Sequence, residues 1–180
     1  MMFLKIIYNF KKKDYWYLLK ILKKWKTKSL EQRKLFFEAF IYLLYSCLLI
    51  YIMPFKKIII FLNLISKSSE LKKEISILPE FKDELFNKND YNRQIIENIV
   101  WSVTAASKYI PLSGLCLIQA LAAHKMLKKR SISGLLYLGV GKDQKDQNKL
   151  VAHAWVKYNN KTITGGANLD KYAVVSLYTW

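Results

Sequence analysis

Apolar and polar positions follow one another along the chain in blocks whose period predicts the type of element. Residues 35–53 are almost continuously apolar, and a second apolar stretch, residues 58–65, follows Pro54. Since proline cannot continue a helix, this pattern predicts two helices joined at Pro54. A polar segment, residues 66–92, comes next and contains Leu78-Pro79, which is typical of a boundary between structural units.

The second half of the chain predicts helices followed by strands. Residues 94–110 carry apolar side chains at helical spacing, and after a break at residues 111–114 a second helix begins near Cys116 and runs to about Arg130. Four strands are predicted after it, at residues 134–140, 151–158, 161–164 and 173–178. Helices followed by an antiparallel sheet predict an α+β domain.

The chain length and the change from apolar to polar composition predict three regions. With 180 residues the chain is long enough for one domain with a substantial core. We predict a basic, apolar-rich helical extension over residues 1–66, a polar linker or irregular segment over residues 67–92, and a globular domain over residues 93–180.

The formal charge of +17 is unevenly distributed, with a larger excess over residues 1–75 than over the remainder. Such a surface suits anionic lipid, an acidic partner or plain solvation. Nucleic acid is not an expected partner, because the basic residues follow no zinc-finger, RRM or helix-turn-helix pattern. The apolar run at the amino terminus ends at Lys11 without a small-residue cleavage site, so no secretory signal is predicted.

Residues 35–53 also have the length of a transmembrane helix. Glu38 lies near one end of this stretch, and three tyrosines interrupt its aliphatic residues. Three interpretations stay open: a membrane span, peripheral contact with a membrane, and packing within the protein.

Cysteine and histidine are scarce in this chain. Cys47 and Cys116 lie in different surroundings, and the histidines are His124 and His153. A disulfide framework is therefore unlikely, the reducing cytoplasm is the expected compartment, and neither a metal site nor an intrinsic cofactor is expected.

Cys116 and His153 have the positions of a thiol nucleophile and its base. The cysteine is predicted at the start of a helix, where unpaired N–H groups and the helix dipole stabilise a thiolate. The Cys116 backbone N–H is a candidate oxyanion donor, together with a second donor from Ser113-Gly114. His153 is predicted on a strand, which would hold its imidazole rigidly.

Four sequence blocks in a fixed order carry a resemblance to a known family. They are Cys116-Leu-Ile-Gln-Ala-Leu-Ala-Ala-His-Lys-Met-Leu, Leu136-Tyr-Leu-Gly-Val-Gly, Ala152-His-Ala-Trp-Val and Thr164-Gly-Gly. Over residues 101–178 the chain resembles the lasso-peptide biosynthesis B protein, and more narrowly its free-standing leader-peptidase half. The resemblance implies a transglutaminase/papain-like cysteine protease core, with the nucleophile helix packed on a small antiparallel sheet.

The family implies removal of the leader from a ribosomally made precursor peptide, so that the new amino terminus of the core can be cyclised. It also implies two protein partners. One is a small PqqD-like leader-recognition protein, for which this chain has no domain of its own. The other is an asparagine-synthetase-like macrolactam synthetase that depends on ATP.

The third member of the catalytic group departs from the family. A carboxylate is expected about twelve residues after the histidine, but Gly165 stands there, preceded by Thr164. Asp170 is the favoured residue for orienting His153, and Asn168 and Thr164 are the alternatives.

Two further residues, each within one of the four blocks, have structural interpretations. His124 is expected to be structural or solvent-facing, and Trp155 to pack in the core and to shield the Cys–His pair from water. Two other functions stay open: a non-catalytic, membrane-associated scaffold, and a different thiol enzyme on the same core, such as an acyltransferase or amidase.

Overall fold

The computed structural model of the chain describes residues 28–66, 90–110, 115–143, 146–159 and 161–180, and at residues 90–92 only the backbone. The lysine clusters before residue 28, residues 67–89 of the linker predicted over residues 67–92, and the Ser113-Gly114 turn lie outside the described residues. The chain divides into two compact units, Met1–Lys34 and Leu35–Trp180. The division into three regions, with boundaries at residues 66 and 92, stays a prediction.

Helices occupy the first part of the described chain. Their bounds are Leu30–Ile52 for α1, Phe55–Phe61 for α2, Asp90–Ser107 for α3 and Leu115–Lys128 for α4. The side-chain oxygen of Ser29 accepts a hydrogen bond from the Gln32 backbone N–H, which satisfies one of the unpaired donors at the start of α1. Pro54 separates α1 from α2, as the sequence predicted.

The strands form one antiparallel sheet. Their bounds are Ile65–Ser66 for β1, Leu135–Lys142 for β2, Leu150–Tyr158 for β3, Lys161–Thr164 for β4 and Ala173–Thr179 for β5. The order across the sheet is β1-β5-β2-β3-β4, and a short 3₁₀ helix, Leu169–Lys171, precedes β5. The predicted order of helices followed by an antiparallel sheet is confirmed, whereas β1 was not predicted.

The main core lies between the helices and one face of the sheet. Alternation along β3 directs Ala154 and Val156 into this core. Trp155 lies on the opposite face, in a smaller cluster with Tyr137 and Leu177. Helix α4 lies deepest in the main core, with fully buried alanines at positions 120, 122 and 123. These small side chains let α4 approach the strands closely.

Helix α1 is held on the core by an ion pair. The Glu38 carboxylate accepts hydrogen bonds from both terminal nitrogens of Arg130, at 3.0 and 2.9 Å, and Lys129 lies 3.4 Å away. Partial burial acts to raise the pKa of Glu38, but the hydrogen bond and charge of Arg130, with the charge of Lys129, outweigh it and lower that pKa. The Glu38 carboxylate, which lies near one end of the stretch that could span a membrane, is therefore paired with Arg130 within the protein.

Candidate active site

Cys116 is the second residue of α4, and its side chain is half-buried. It lies on one helical stripe with Ala120 and His124, both fully buried, because residues four apart share a face. The ring of His124 meets that of Trp180, at the end of the sheet, edge to face at 4.5 Å. The stripe that carries Cys116 therefore faces the sheet.

Helix α4 packs against β3, the strand that carries His153. Cys116 lies eight residues before His124, or about 12 Å along a helix axis. It therefore lies about two helical turns from the end of the sheet at which His124 meets Trp180.

The described chain gives the His153 ring a main-chain hydrogen-bond partner. Its Nε2 lies 2.7 Å from the carbonyl oxygen of Gly165. A carbonyl oxygen only accepts, so Nε2 must carry the proton and donate it. The neutral ring then has its lone pair on Nδ1, which makes Nδ1 the atom that accepts a proton in any reaction.

The backbone conformation of Gly165 makes this contact possible. It follows the end of β4 and has φ +71°, in the left-handed region that favours glycine. A Cβ at this position would clash with the carbonyl oxygen of Ala154. The chain therefore passes so close to β3 that a side chain has no room, and this approach brings the Gly165 carbonyl to the imidazole.

Stacked aromatic rings hold the imidazole from its sides. The His153 ring stacks on Tyr172 at 4.6 Å between centroids and on Trp155 at 5.9 Å, and Trp155 stacks in turn on Tyr137 at 5.4 Å. Gly139 pairs with His153 across β2 and β3, and a Cβ there would lie 2.8 Å from the Trp155 ring. This row of rings limits the rotation of the imidazole.

Comparison with known families agrees with this arrangement of helix and sheet. A model of the transglutaminase-like superfamily matches residues 65–177, which is more than half of the chain. The chain belongs to the transglutaminase-like superfamily. Comparisons with curated proteins and with solved structures gave no significant match.

Membership in this superfamily indicates the kind of chemistry that the site can carry out. The transglutaminase-like superfamily is typically a family of cysteine-dependent enzymes and includes cysteine proteases and acyltransferases. This transglutaminase-like domain presents a cysteine in the first turn of a buried helix, where the backbone N–H groups have no partner within the helix. Those N–H groups make the helix start suited to an oxyanion.

The three side chains predicted to orient His153 were Asp170, Asn168 and Thr164. Asp170, on the 3₁₀ helix, and Asn168, just before it, are both exposed. Thr164 is buried, and its hydroxyl oxygen has no hydrogen-bond partner within the described chain. None of the three forms a hydrogen bond with His153 among the described residues. The contact of His153 is instead with a backbone carbonyl twelve residues downstream, at the position where the sequence lacked a carboxylate.

His124 is a structural residue of this domain. It is fully buried, and neither ring nitrogen has a hydrogen-bond partner in the described part of the chain. Desolvation, with the positive charges of Lys128 and Lys125, lowers the pKa of His124 to about 3. The ring is therefore neutral at physiological pH. The described residues contain no group of three His, Cys, Asp or Glu side chains that could hold a metal ion.

Proposed function

We propose that this transglutaminase-like domain is a cysteine peptidase that removes the leader from a ribosomally made lasso precursor peptide. The observation that carries the proposal is the His153 hydrogen bond to Gly165, which leaves Nδ1 as the base, on the strand against which the helix of Cys116 packs. The four ordered sequence blocks supply the substrate class, because they resemble the free-standing leader peptidase of lasso-peptide pathways.

The reaction begins with proton transfer from the Cys116 thiol to Nδ1 of His153. The thiolate then attacks the scissile carbonyl, and its oxyanion is held by the Cys116 backbone N–H at the start of α4. When the C–N bond breaks, the imidazolium gives its proton to the leaving amine of the core peptide. Water, deprotonated by the same Nδ1, hydrolyses the thioester and releases the leader with a free carboxylate.

The proposed reaction requires the Cys116 thiol and the His153 imidazole to meet around the edge of β3. Helix α4 packs on the face that carries Ala154, whereas His153 lies on the face of Trp155. The pairing of β4 with β3 ends with Thr164 opposite Val156, before the level of His153. The proposed mechanism brings the Cys116 side chain, in the first turn of α4, to the ring past this edge.

The Gly165 carbonyl has the orienting role that a carboxylate has in other thiol proteases. It fixes the tautomer and the plane of the ring, which are the geometric parts of that role. It carries only a partial negative charge, so it stabilises the imidazolium less than a carboxylate does. We expect a peptidase that is slower than one with a complete triad and that gains from a partner that holds the substrate in place.

The proposed partners follow from the same substrate. A PqqD-like protein would deliver the leader, and an asparagine-synthetase-like macrolactam synthetase would cyclise the core after cleavage. Cleavage must precede ring closure, because the synthetase needs the amine that hydrolysis releases.

Incubation with a candidate precursor and its leader-recognition protein tests the proposal. Mass spectrometry should detect a leader and a core whose masses sum to the precursor plus one water. Cys116→Ala should abolish both fragments, while Cys47→Ala, at the other cysteine, should leave them unchanged. Fragments that persist in Cys116→Ala would contradict the proposal. An adduct on intact precursor would indicate the acyltransferase alternative, and product formation with Cys116→Ala would indicate the scaffold.

A further inference from the structure

We propose that α1 is an in-plane membrane helix that docks the domain on an anionic lipid surface without spanning it. Helix α1 is the one helix of the described chain with the length and composition to cross a membrane. An apolar helix of this kind is normally buried on all sides or embedded in lipid. Helix α1 is buried on one side only.

The two sides of α1 differ in exposure and not in polarity. At 100° per residue, Ala39, Leu43 and Ser46 lie on one side and are buried. The opposite side carries large apolar residues that are exposed to solvent: Ile41 at 62%, Leu44 at 46%, Leu48 at 56% and Tyr51 at 89%. We call these four residues the interfacial face. Exposed apolar residues continue beyond Pro54 at Ile60 and Ile65.

Contacts from α4 and the residues after it keep α1 and α2 on the domain. Arg130 forms the two hydrogen bonds to Glu38 described above. The ammonium of Lys125 lies over the Tyr45 ring, 5.5 Å from its centroid, and Lys128 donates a hydrogen bond to the Leu62 carbonyl oxygen at 3.0 Å. A spanning α1 would have to break these contacts and leave Glu38 unpaired in hydrocarbon, which is costly.

Charge selects lipid as the occupant of the interfacial face. Between residues 35 and 66 the charged residues are Glu38, Lys56 and Lys57. The carboxylate is paired with Arg130, while both lysines are exposed. Over the whole of α1 and α2 the exposed charged residues are Glu31, Lys34, Lys56 and Lys57, so cations are in excess. This excess, beside an apolar helix face that ends in an exposed tyrosine, suits acidic headgroups above acyl chains.

Vesicle sedimentation with the full-length protein tests this proposal. The protein should sediment with vesicles that contain about one third phosphatidylglycerol and much less with pure phosphatidylcholine. Ile41→Ser/Leu48→Ser should lower the partition coefficient for the anionic vesicles at least about tenfold. Lys56→Gln/Lys57→Gln should lower it about tenfold. The matched control is Leu150→Ser/Val175→Ser, which changes two exposed apolar residues of the sheet, 67% and 54% exposed, and should sediment like the wild type.

Three results would overturn the proposal. The first is that the wild-type protein does not bind the anionic vesicles, or that the control variant loses as much binding as Ile41→Ser/Leu48→Ser. The second is a dimer in light scattering without lipid that Ile41→Ser/Leu48→Ser dissociates, because the face would then bind a second copy of the chain. The third is resistance to alkaline carbonate extraction from cell membranes, which would indicate a span. Release by carbonate supports the in-plane helix.

Discussion

The imidazole of His153 donates a hydrogen bond from Nε2 to the backbone carbonyl of Gly165, 2.7 Å away. A main-chain atom thus occupies the position for which a carboxylate was expected. A side-chain substitution cannot remove such a partner, but a change of backbone conformation can displace it.

Gly165→Ala should impair both stability and activity. A Cβ would clash with the Ala154 carbonyl, and φ +71° is strained for alanine. We expect a loss of about 2 kcal/mol or more in the free energy of unfolding and a slower release of leader. Gly166→Ala is the control, since a Cβ there meets only the Thr162 side chain, at 3.3 Å. Equal denaturation midpoints for the two variants would argue against a special role for Gly165.

Asp170→Asn should leave the chemistry almost unchanged. The carboxylate is exposed and forms no hydrogen bond with His153 among the described residues. We expect the rate of Cys116 alkylation by iodoacetamide to stay within about threefold of the wild type, since an exposed charge acts weakly. A drop of a hundredfold, with the fold intact by circular dichroism, would restore Asp170 as the third member.

Tyr172→Ala should slow the enzyme while Tyr172→Phe should not. The ring of Tyr172 stacks on His153 at 4.6 Å, and phenylalanine keeps that contact. A stacked pair contributes about 0.5–1.5 kcal/mol, so we expect a severalfold lower rate of Cys116 alkylation in the alanine variant. The proposed positioning role fails if the two variants react at the same rate.

Acidification should destabilise the domain through His124. Its pKa is about 3 in the folded state against an ordinary value of 6.5, so the unfolded chain binds more protons between these values. The stability is complete above pH 6.5 and is lost as the pH falls toward 3, by up to about 1.4 kcal/mol per pH unit. Urea denaturation at pH 7.5 and pH 5 should differ by about 2 kcal/mol. This interval lies above the titration of Glu38, whose pKa is lowered.

His124→Leu should flatten that pH dependence, because it removes the titrating group and keeps an apolar side chain on α4. An unchanged slope in His124→Leu would assign the effect to other groups.

Much of the fold could be predicted from the sequence because it depends on local pattern. Helical spacing marked α3 and α4, alternation marked β3, and Pro54 marked the end of α1. Strand β1 was missed, since its two residues pair with Tyr178 and Thr179, more than a hundred positions away. No local pattern encodes such a pairing.

The site could be predicted only where side chains carry the chemistry. Cys116 and His153 stood out by residue type and position. The partner of His153 is a backbone carbonyl, which every residue has, so residue types do not reveal it and favour the acidic Asp170 instead. The informative signal was the glycine itself, twelve residues after His153, where a positive φ and a close approach to β3 exclude side chains.

If His153 activates Cys116, the two cysteines of the chain should differ in reactivity even without a substrate. Cys47 and Cys116 are both half-buried and free, so Cys47 is an internal control. Iodoacetamide labelling near pH 7, followed by peptide mass spectrometry, should show Cys116 reacting at least about tenfold faster than Cys47. His153→Ala should reduce the Cys116 rate to that of Cys47. Equal rates in the wild-type protein, or a Cys116 rate that His153→Ala does not change, would contradict the account.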